Sequence, residues 1–148
     1  MEIQSDFKDL LESFNKNEVE YIIVGAYALA MHGAPRYTGD LDILVKPDRD
    51  NAKRIVTALK EFGFESEDLT VSDFEKPEKV IQLGVPPVRV DIITSITGVS
   101  WPDANAHRVE GNYGNLRVYY IGLKQLIANK KALGRKKDLA DLEALGEE

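Results

Sequence analysis

Two carboxylates, Asp40 and Asp42, stand one residue apart at the start of an apolar run that ends at Val45. In a β-strand, alternate residues point to the same face, so both carboxylates project together while Leu41 and Ile43 point towards a core. Neighbouring carboxylates repel and raise each other's pKa, so a fold retains such a pair mainly when a cation lies between them. Oxygen ligands of this kind suit Mg²⁺, which binds one or two carboxylates together with substrate phosphates.

A phosphate-binding turn is predicted just upstream, at Gly25 and Ala26. The apolar run 21–24 predicts a strand, and residues 27–31 predict a short helix. Small residues at a strand-to-helix turn let backbone N–H groups approach a phosphate. Arg36, in the loop that follows, can place its guanidinium fork on phosphate oxygens. Phosphate-binding and metal-binding groups therefore fall within one supersecondary unit.

A third carboxylate, Asp91, lies within an apolar, β-branched run that predicts a strand over 88–96. An unpaired charge in such a strand is costly, so Asp91 needs a cation or hydrogen-bond donors. One interpretation makes Asp91 a third metal ligand that also helps to deprotonate an attacking hydroxyl. The other is an ion pair with Arg89, which lies on the same face of the strand.

A lysine falls on the inward face of a predicted helix near the end of the chain. Lys130 lies seven residues after Leu123, in the apolar stripe that Leu123 begins. Gly134 ends this helix and a second begins near Arg135. An inward-facing lysine needs a partner, and Asp138 is a candidate partner for it or for a nearby arginine.

The ordered set of small-residue turn, Asp40-Leu41-Asp42 and a later strand carboxylate resembles the nucleotidyltransferase superfamily that includes the DNA polymerase beta type. The run 25–45 looks most like small bacterial members related to abortive-infection and toxin–antitoxin nucleotidyltransferases, and the run 126–145 resembles their C-terminal helical pair. The resemblance implies that two Mg²⁺ ions, with Mn²⁺ as an alternative, are held by Asp40, Asp42 and Asp91. It also implies nucleotide-binding roles for Gly25, Ala26, Arg36 and Lys130. Many relatives have Gly or Ser where this chain has Ala26, which offers no hydroxyl to a phosphate.

The resemblance implies transfer of a nucleoside monophosphate from an NTP, with ATP included, to an acceptor hydroxyl. The acceptor is a tRNA or other RNA end, a protein or a small molecule. An alternative is a catalytically weak binding protein with the same fold, such as one component of a toxin–antitoxin pair. A third interpretation is a nucleotide-sugar enzyme that uses Asp-x-Asp with Mn²⁺, but it leaves the Gly25-Ala26 turn unexplained.

Composition limits the other classes of function. The net charge of −6, from 19 basic and 25 acidic residues, argues against a broad nucleic-acid-binding surface. The chain has no cysteine, which excludes disulfides, zinc–thiolate sites and a cysteine nucleophile. No apolar run approaches the roughly 20 residues that span a bilayer, and the first residues lack a secretory signal, so a cytoplasmic protein is expected.

The 148 residues, 43% of them apolar, predict a single domain that spans 1–148. The expected class is α/β (α+β), a nucleotidyltransferase-like fold with a mixed central sheet and flanking helices. Residues 1–120 form the predicted sheet-containing core, and 121–148 form the helical pair.

Two local features are also predicted. Ser5 is expected to cap the first helix, and 94–107 is expected to be a loop in which Trp101 covers a base or plugs the core edge. A homodimer or a cognate antitoxin is the expected protein partner.

Overall fold

A six-stranded mixed sheet organises the protein, as seen in a computed structural model that describes residues 4–36, 38–64, 69–84 and 88–147. Its strands are β1 Tyr21–Val24, β2 Asp40–Val45, β3 Val80–Leu83, β4 Arg89–Ile93, β5 Val109–Tyr113 and β6 Leu116–Tyr120. Across the sheet their order is β3-β4-β2-β1-β6-β5. The pairs β2–β4 and β1–β6 are parallel, and β1–β2, β3–β4 and β5–β6 are antiparallel. The predicted mixed α/β sheet is therefore confirmed.

Seven helices lie in the described parts of the chain. They are α1 Ser5–Lys16, α2 Gly25–Met31, α3 Arg49–Phe62, α4 Ser72–Glu75, α5 Trp101–Ala106, α6 Leu123–Leu133 and α7 Lys136–Ala144. The helices α6 and α7 pack against each other across Gly134, which has φ +63°, so the predicted C-terminal helical pair is confirmed. Across the described ranges, none of these helices combines the length and apolar character that crossing a membrane requires.

The burial of the central strands β1 and β2 explains how the two carboxylates of β2 are held in place. All four residues of β1 are buried, as expected for an apolar, β-branched strand in the middle of a sheet. In β2, Leu41 and Ile43 are wholly buried, while Asp40 and Asp42 are partly exposed. The predicted alternation is therefore present, and β2 holds both carboxylates on the opposite face from the core.

The residue types at the two ends of α3 account for its bounds. The side chain of Asp48 caps it by accepting a hydrogen bond from the Asn51 backbone N–H at 2.8 Å. Gly63 follows its last residue with φ +106°, a left-handed conformation that favours glycine. By contrast, the cap predicted at Ser5 is wrong, because Ser5 is already the first residue of α1 and Gln4 precedes it without a side-chain cap.

Two other boundaries differ from the prediction. The expected loop over 94–107 contains α5, whose N-cap Ser100 accepts a hydrogen bond from Asp103 N–H at 3.3 Å. Trp101 begins this helix and packs, half-buried, against the core. The strand expected to reach residue 96 ends at Ile93, because the chain then turns tightly around Gly98, at φ +82°. Local capping and turn geometry decided both boundaries.

Candidate active site

The carboxylates of β2 and β4 meet because these strands are parallel neighbours. Asp42 pairs in register with Asp91, and Asp40 pairs with Arg89. Residues at the same register position of adjacent strands project from the same face, so three acidic side chains and one arginine share a small area. The sheet thus brings together carboxylates that are about 50 residues apart in the chain.

Asp42 carries the strongest electrostatic signature of this group. Its pKa is raised from 3.8 to about 6, first by burial and then by the negative charges of Asp91 and Asp40. The positive charges of Arg89 and Lys130 act in the opposite direction but do not cancel these effects. The area therefore has a surplus of negative charge, which an added cation would relieve.

The close approach of Asp42 explains why a glycine occupies position 25. Its φ is +68°, and a Cβ at this position would collide with the Oδ2 atom of Asp42. The glycine therefore lets the turn after β1 approach the carboxylate on β2 closely. Ala26 follows it and is buried.

Asp91 is engaged by Arg89 in the structure. The Arg89 Nε and Nη2 atoms donate hydrogen bonds to the two carboxylate oxygens of Asp91, each at 3.0 Å. The same guanidinium lies 3.8 Å from Asp40, measured from Nε to Oδ1. The ion pair that the sequence left open as an alternative is therefore present, and the metal-binding role of Asp91 stays a prediction.

Lys130 lies on the inward face of α6, as its position in the stripe predicts. Its side chain is only 6% exposed, and its Nζ atom lies 3.4 Å from Asp138 Oδ1 and 3.0 Å from Asp141 Oδ2. Asp138 also accepts hydrogen bonds from the backbone N–H and the guanidinium of Arg135. Burial alone would raise the pKa of Asp138, but the hydrogen bonds from Arg135 outweigh it, so this pKa is lowered.

Arg36 is held by the same network. Its Nε and Nη2 atoms donate to the two oxygens of Asp141 at 3.1 and 3.4 Å. Its side chain remains 42% exposed, so part of the guanidinium still reaches solvent.

The sequence predicted Asp138 as the partner of these cations but did not predict Asp141. The signal was available, because Asp141 lies three residues after Asp138 on the same face of α7.

A cavity of about 410 Å³ joins these groups. Six of the seven site residues predicted from sequence line it, namely Gly25, Ala26, Arg36, Asp40, Asp42 and Lys130. The seventh, Asp91, is placed beside Asp42 by the pairing of β2 with β4. Sequence reasoning missed Asn129, a buried cavity residue whose amide donates to the Thr97 carbonyl at 2.8 Å.

The carboxylates of the cavity meet part of what a divalent cation requires. Within the described part of the chain, no three His, Cys, Asp or Glu side chains are arranged as a complete metal centre. The pair Asp40 and Asp42 fits such an ion in its chemistry, because both donors are carboxylates. Burial and, after it, the charges of Asp91 and Asp40 raise the pKa of Asp42, and a bound cation would offset both effects. As arranged, Asp91 does not complete the set, because both of its oxygens accept from Arg89.

A protein-family model decides the relationship that this geometry suggests. The model for aminoglycoside-2''-adenylyltransferase matches residues 6–105, which include all of β1, α2, β2 and β4. The chain belongs to this adenylyltransferase family. The membership confirms the nucleotidyltransferase superfamily, which the sequence motifs had indicated. A search among curated protein sequences finds no match.

Two solved structures share the fold of this family member. One is a Thermotoga maritima protein provisionally assigned as a nucleotidyltransferase, with a TM-score of 0.64 and 18% identity over 96% of this chain and 93% of that one. The other is the lincosamide antibiotic adenylyltransferase LnuA with lincomycin bound, with a TM-score of 0.61 and 15% identity over 97% of this chain and 96% of that one. At these identities the likeness shows the fold, and it extends over nearly the whole of each chain.

Proposed function

We propose that this adenylyltransferase-family protein transfers a nucleoside monophosphate, with ATP as the first donor to test, to an acceptor hydroxyl in a Mg²⁺-dependent reaction. One observation supports the proposal above all. A single 410 Å³ cavity is lined by two strand carboxylates, Asp40 and Asp42, and by two cations from other elements, Arg36 and Lys130. That combination suits a triphosphate and its counter-ion, because carboxylates bind the metal and basic groups bind the phosphates.

In this proposal, Asp40 and Asp42 hold Mg²⁺ or Mn²⁺. When bound, the metal supplies Lewis-acid activation of the α-phosphate and counter-charge for the leaving pyrophosphate. The acceptor hydroxyl would give up its proton to Asp91, once Arg89 has released that carboxylate. The hydroxyl oxygen would form a bond to the α-phosphorus as the bond from that phosphorus to the bridging oxygen breaks. The sequence-based proposal of two metal ions requires Asp91 to act as a ligand as well.

The basic side of the cavity neutralises the developing charge on pyrophosphate. Lys130 and Arg36 lie on elements far apart in the chain, and both are fixed by Asp141. Because the carboxylate positions these cations before substrate arrives, less conformational freedom is lost when phosphate binds. Gly25 and Ala26 line the same cavity, where the absence of a side chain at Gly25 and the small methyl group of Ala26 leave room for phosphate oxygens.

A small molecule is the first acceptor class to test. The family name refers to aminoglycosides, and the LnuA structure contains lincomycin, so both relationships point to small antibiotics. RNA ends and protein hydroxyls remain the other classes proposed from the sequence. The net charge of −6 disfavours a long RNA footprint but leaves a short 3′ end compatible with the basic residues near Lys130.

A second candidate is a binding protein of this fold with weak catalysis, such as a component of a toxin–antitoxin pair. The pairing of Asp91 with Arg89 favours it, because a third carboxylate held by arginine is less available for chemistry. This candidate implies a protein partner, whereas the first implies an NTP and an acceptor.

Nucleotide-dependent thermal stability separates the two candidates. The wild type and an Asp40→Asn/Asp42→Asn variant are heated with each of four NTPs, in Mg²⁺ or in EDTA. A nucleotide present at 100 times its dissociation constant should stabilise the wild type by about 2.7 kcal/mol, and only with Mg²⁺. An Asp9→Asn/Glu12→Gln variant removes two exposed carboxylates from α1 and serves as the charge-matched control.

The expected result is a Mg²⁺-dependent shift that the control variant keeps and the Asp40/Asp42 variant loses. Release of pyrophosphate in the presence of candidate acceptors then identifies the substrate. If no NTP stabilises the wild type in either condition, the nucleotidyltransferase proposal fails and the binding-protein candidate takes its place.

A further inference from the structure

Arg89 occupies a distinctive position among the carboxylates. It lies opposite Asp40 in the β2–β4 register and two residues before Asp91 on its own strand. Its guanidinium donates to both oxygens of Asp91 at 3.0 Å and approaches Asp40 at 3.8 Å. A single positive group thus contacts two of the three carboxylates that the sequence assigns to metal binding.

The contact with Asp91 has the geometry of a strong ion pair. It is bidentate, with two parallel N–H···O hydrogen bonds, the arrangement in which arginine binds carboxylate most strongly. The Asp91 side chain is 11% exposed and that of Arg89 is 30% exposed, so the carboxylate is largely shielded from water while the arginine remains partly accessible. A metal ion that approached these oxygens would meet both the hydrogen bonds and the positive charge of the guanidinium.

The situation at Asp42 is different. Among the described residues, Asp42 has no ion-pair partner within 4.0 Å, although it lies in register beside Asp91 and on the same strand face as Asp40. An added cation therefore meets an unpaired carboxylate at Asp42 and an arginine-bound carboxylate at Asp91.

We propose that Arg89 and a second divalent ion compete for Asp91. The first ion binds Asp40 and Asp42 with Arg89 in place, and a further ion becomes a ligand of Asp91 only when the guanidinium leaves. Arg89 thereby sets how many metal ions the site holds at a given metal concentration. This inference rests on the proposed function, because it assumes that Asp40 and Asp42 bind a divalent ion.

Titration of Mn²⁺ by calorimetry, with electron paramagnetic resonance of the free ion, tests the competition directly. The wild type, Arg89→Gln and Arg89→Lys are titrated in the presence of α,β-methylene-ATP, which cannot undergo transfer. The control is Arg54→Gln, which removes one positive charge from α3, where Arg54 lies 3.8 Å from Glu20. Circular dichroism and thermal unfolding confirm that each variant is folded.

The expected result is one tighter and one weaker Mn²⁺ per wild-type chain. In Arg89→Gln the weaker ion should bind about tenfold more tightly, within the range by which neighbours of metal ligands alter affinity. Arg89→Lys keeps the charge but loses the fork, so its gain should be smaller. Arg54→Gln should match the wild type. If Arg89→Gln does not fold, a gain in Arg89→Lys over Arg54→Gln supports the competition, and its absence overturns it.

The competition is overturned if a folded Arg89→Gln binds the second Mn²⁺ no more tightly than the wild type does. The proposed function stays intact in that case when the wild type still shows Mg²⁺-dependent NTP binding. Absence of nucleotide-linked Mn²⁺ binding in the wild type overturns both. The two failures are therefore distinguished by the wild-type titration alone.

Discussion

Lys130 Nζ lies 3.0 Å from Asp141 Oδ2, and the two side chains are only 6% and 5% exposed. This ion pair joins α6 to α7. Arg36 donates to the same carboxylate from the loop after α2, which is 105 residues away in the chain. Asp141 thus connects the C-terminal helical pair to the loop after α2 at the side of the cavity that Arg36 and Lys130 line.

Replacement of Lys130 by methionine should destabilise the fold. Methionine keeps most of the volume, but Asp138 and Asp141 lose their shared buried cation. Removing one member of a buried ion pair typically costs about 3–5 kcal/mol, because the remaining charge is left uncompensated. Urea unfolding at neutral pH measures the loss. Lys131→Met is the control, because Lys131 is 53% exposed and lies 4.0 Å from Glu147. Equal stability of the two variants would contradict the buried network.

The raised pKa of Asp42 should make stability depend on pH. In the folded protein this pKa is about 6, against an ordinary value of 3.8, so the folded state binds the proton more tightly. As the pH rises through this window, the Asp42 carboxyl loses its proton in the unfolded state before it does so in the folded state. The free energy of unfolding therefore falls. Below the ordinary value both states are protonated and the destabilising effect is absent.

Asp42→Asn isolates this effect, since asparagine does not titrate. In EDTA, the variant should exceed the wild type in stability at about pH 8 by up to about 3 kcal/mol, given about 1.4 kcal/mol per pKa unit. The difference should shrink as the pH falls towards about 4. Denaturant unfolding at several pH values measures it. A gap between variant and wild type that does not change with pH would show that burial and neighbouring carboxylates do not perturb Asp42.

Gly25→Ala should be more harmful than a glycine replacement elsewhere. Alanine at φ +68° costs about 1–2 kcal/mol in backbone strain, and its Cβ would also displace the Asp42 carboxylate. Gly33→Ala is the matched control, because Gly33 also has positive φ but a Cβ there meets nothing within 4 Å. Thermal unfolding and Mg²⁺-dependent NTP binding should both be impaired more by Gly25→Ala. Equal effects of the two replacements on thermal unfolding and NTP binding would show that the Gly25–Asp42 contact has no special importance.

Asn51 should be a major contributor to stability although no catalytic role is proposed for it. It is fully buried, accepts from the Glu20 backbone N–H at 2.8 Å, and donates to the Glu20 and Lys46 carbonyls at 3.0 Å. Asn51→Ala leaves the Glu20 N–H without its acceptor, whereas the two carbonyls keep hydrogen bonds from the Lys46 and Asp48 N–H groups, so a loss of about 1–3 kcal/mol is expected for the one unsatisfied group. Asn112→Ala, at an exposed strand position, should change urea unfolding little. Comparable losses would refute the role of Asn51.

The placement of most candidate site residues could be predicted because their signals are local. The strand period places Asp40 and Asp42 on one face, and the helical period turns Lys130 inward, whatever the rest of the chain does. The cap at Asp48 and the stop at Gly63 follow from residue types that have few alternatives at helix ends. Asn51 escaped prediction, because its three hydrogen bonds join α3 to the residue before β1 and the residue after β2.

The sequence by itself determined the chemistry available to this protein, namely paired strand carboxylates, a small-residue turn and an inward lysine. Only the tertiary structure decided which groups face each other. The parallel pairing of β2 with β4 sets Asp91 beside Asp42 and brings Arg89 to both Asp40 and Asp91. The packing of α7 brings Asp141 to Arg36. Strand order and helix packing depend on non-local contacts, and no local periodicity in the chain specifies them.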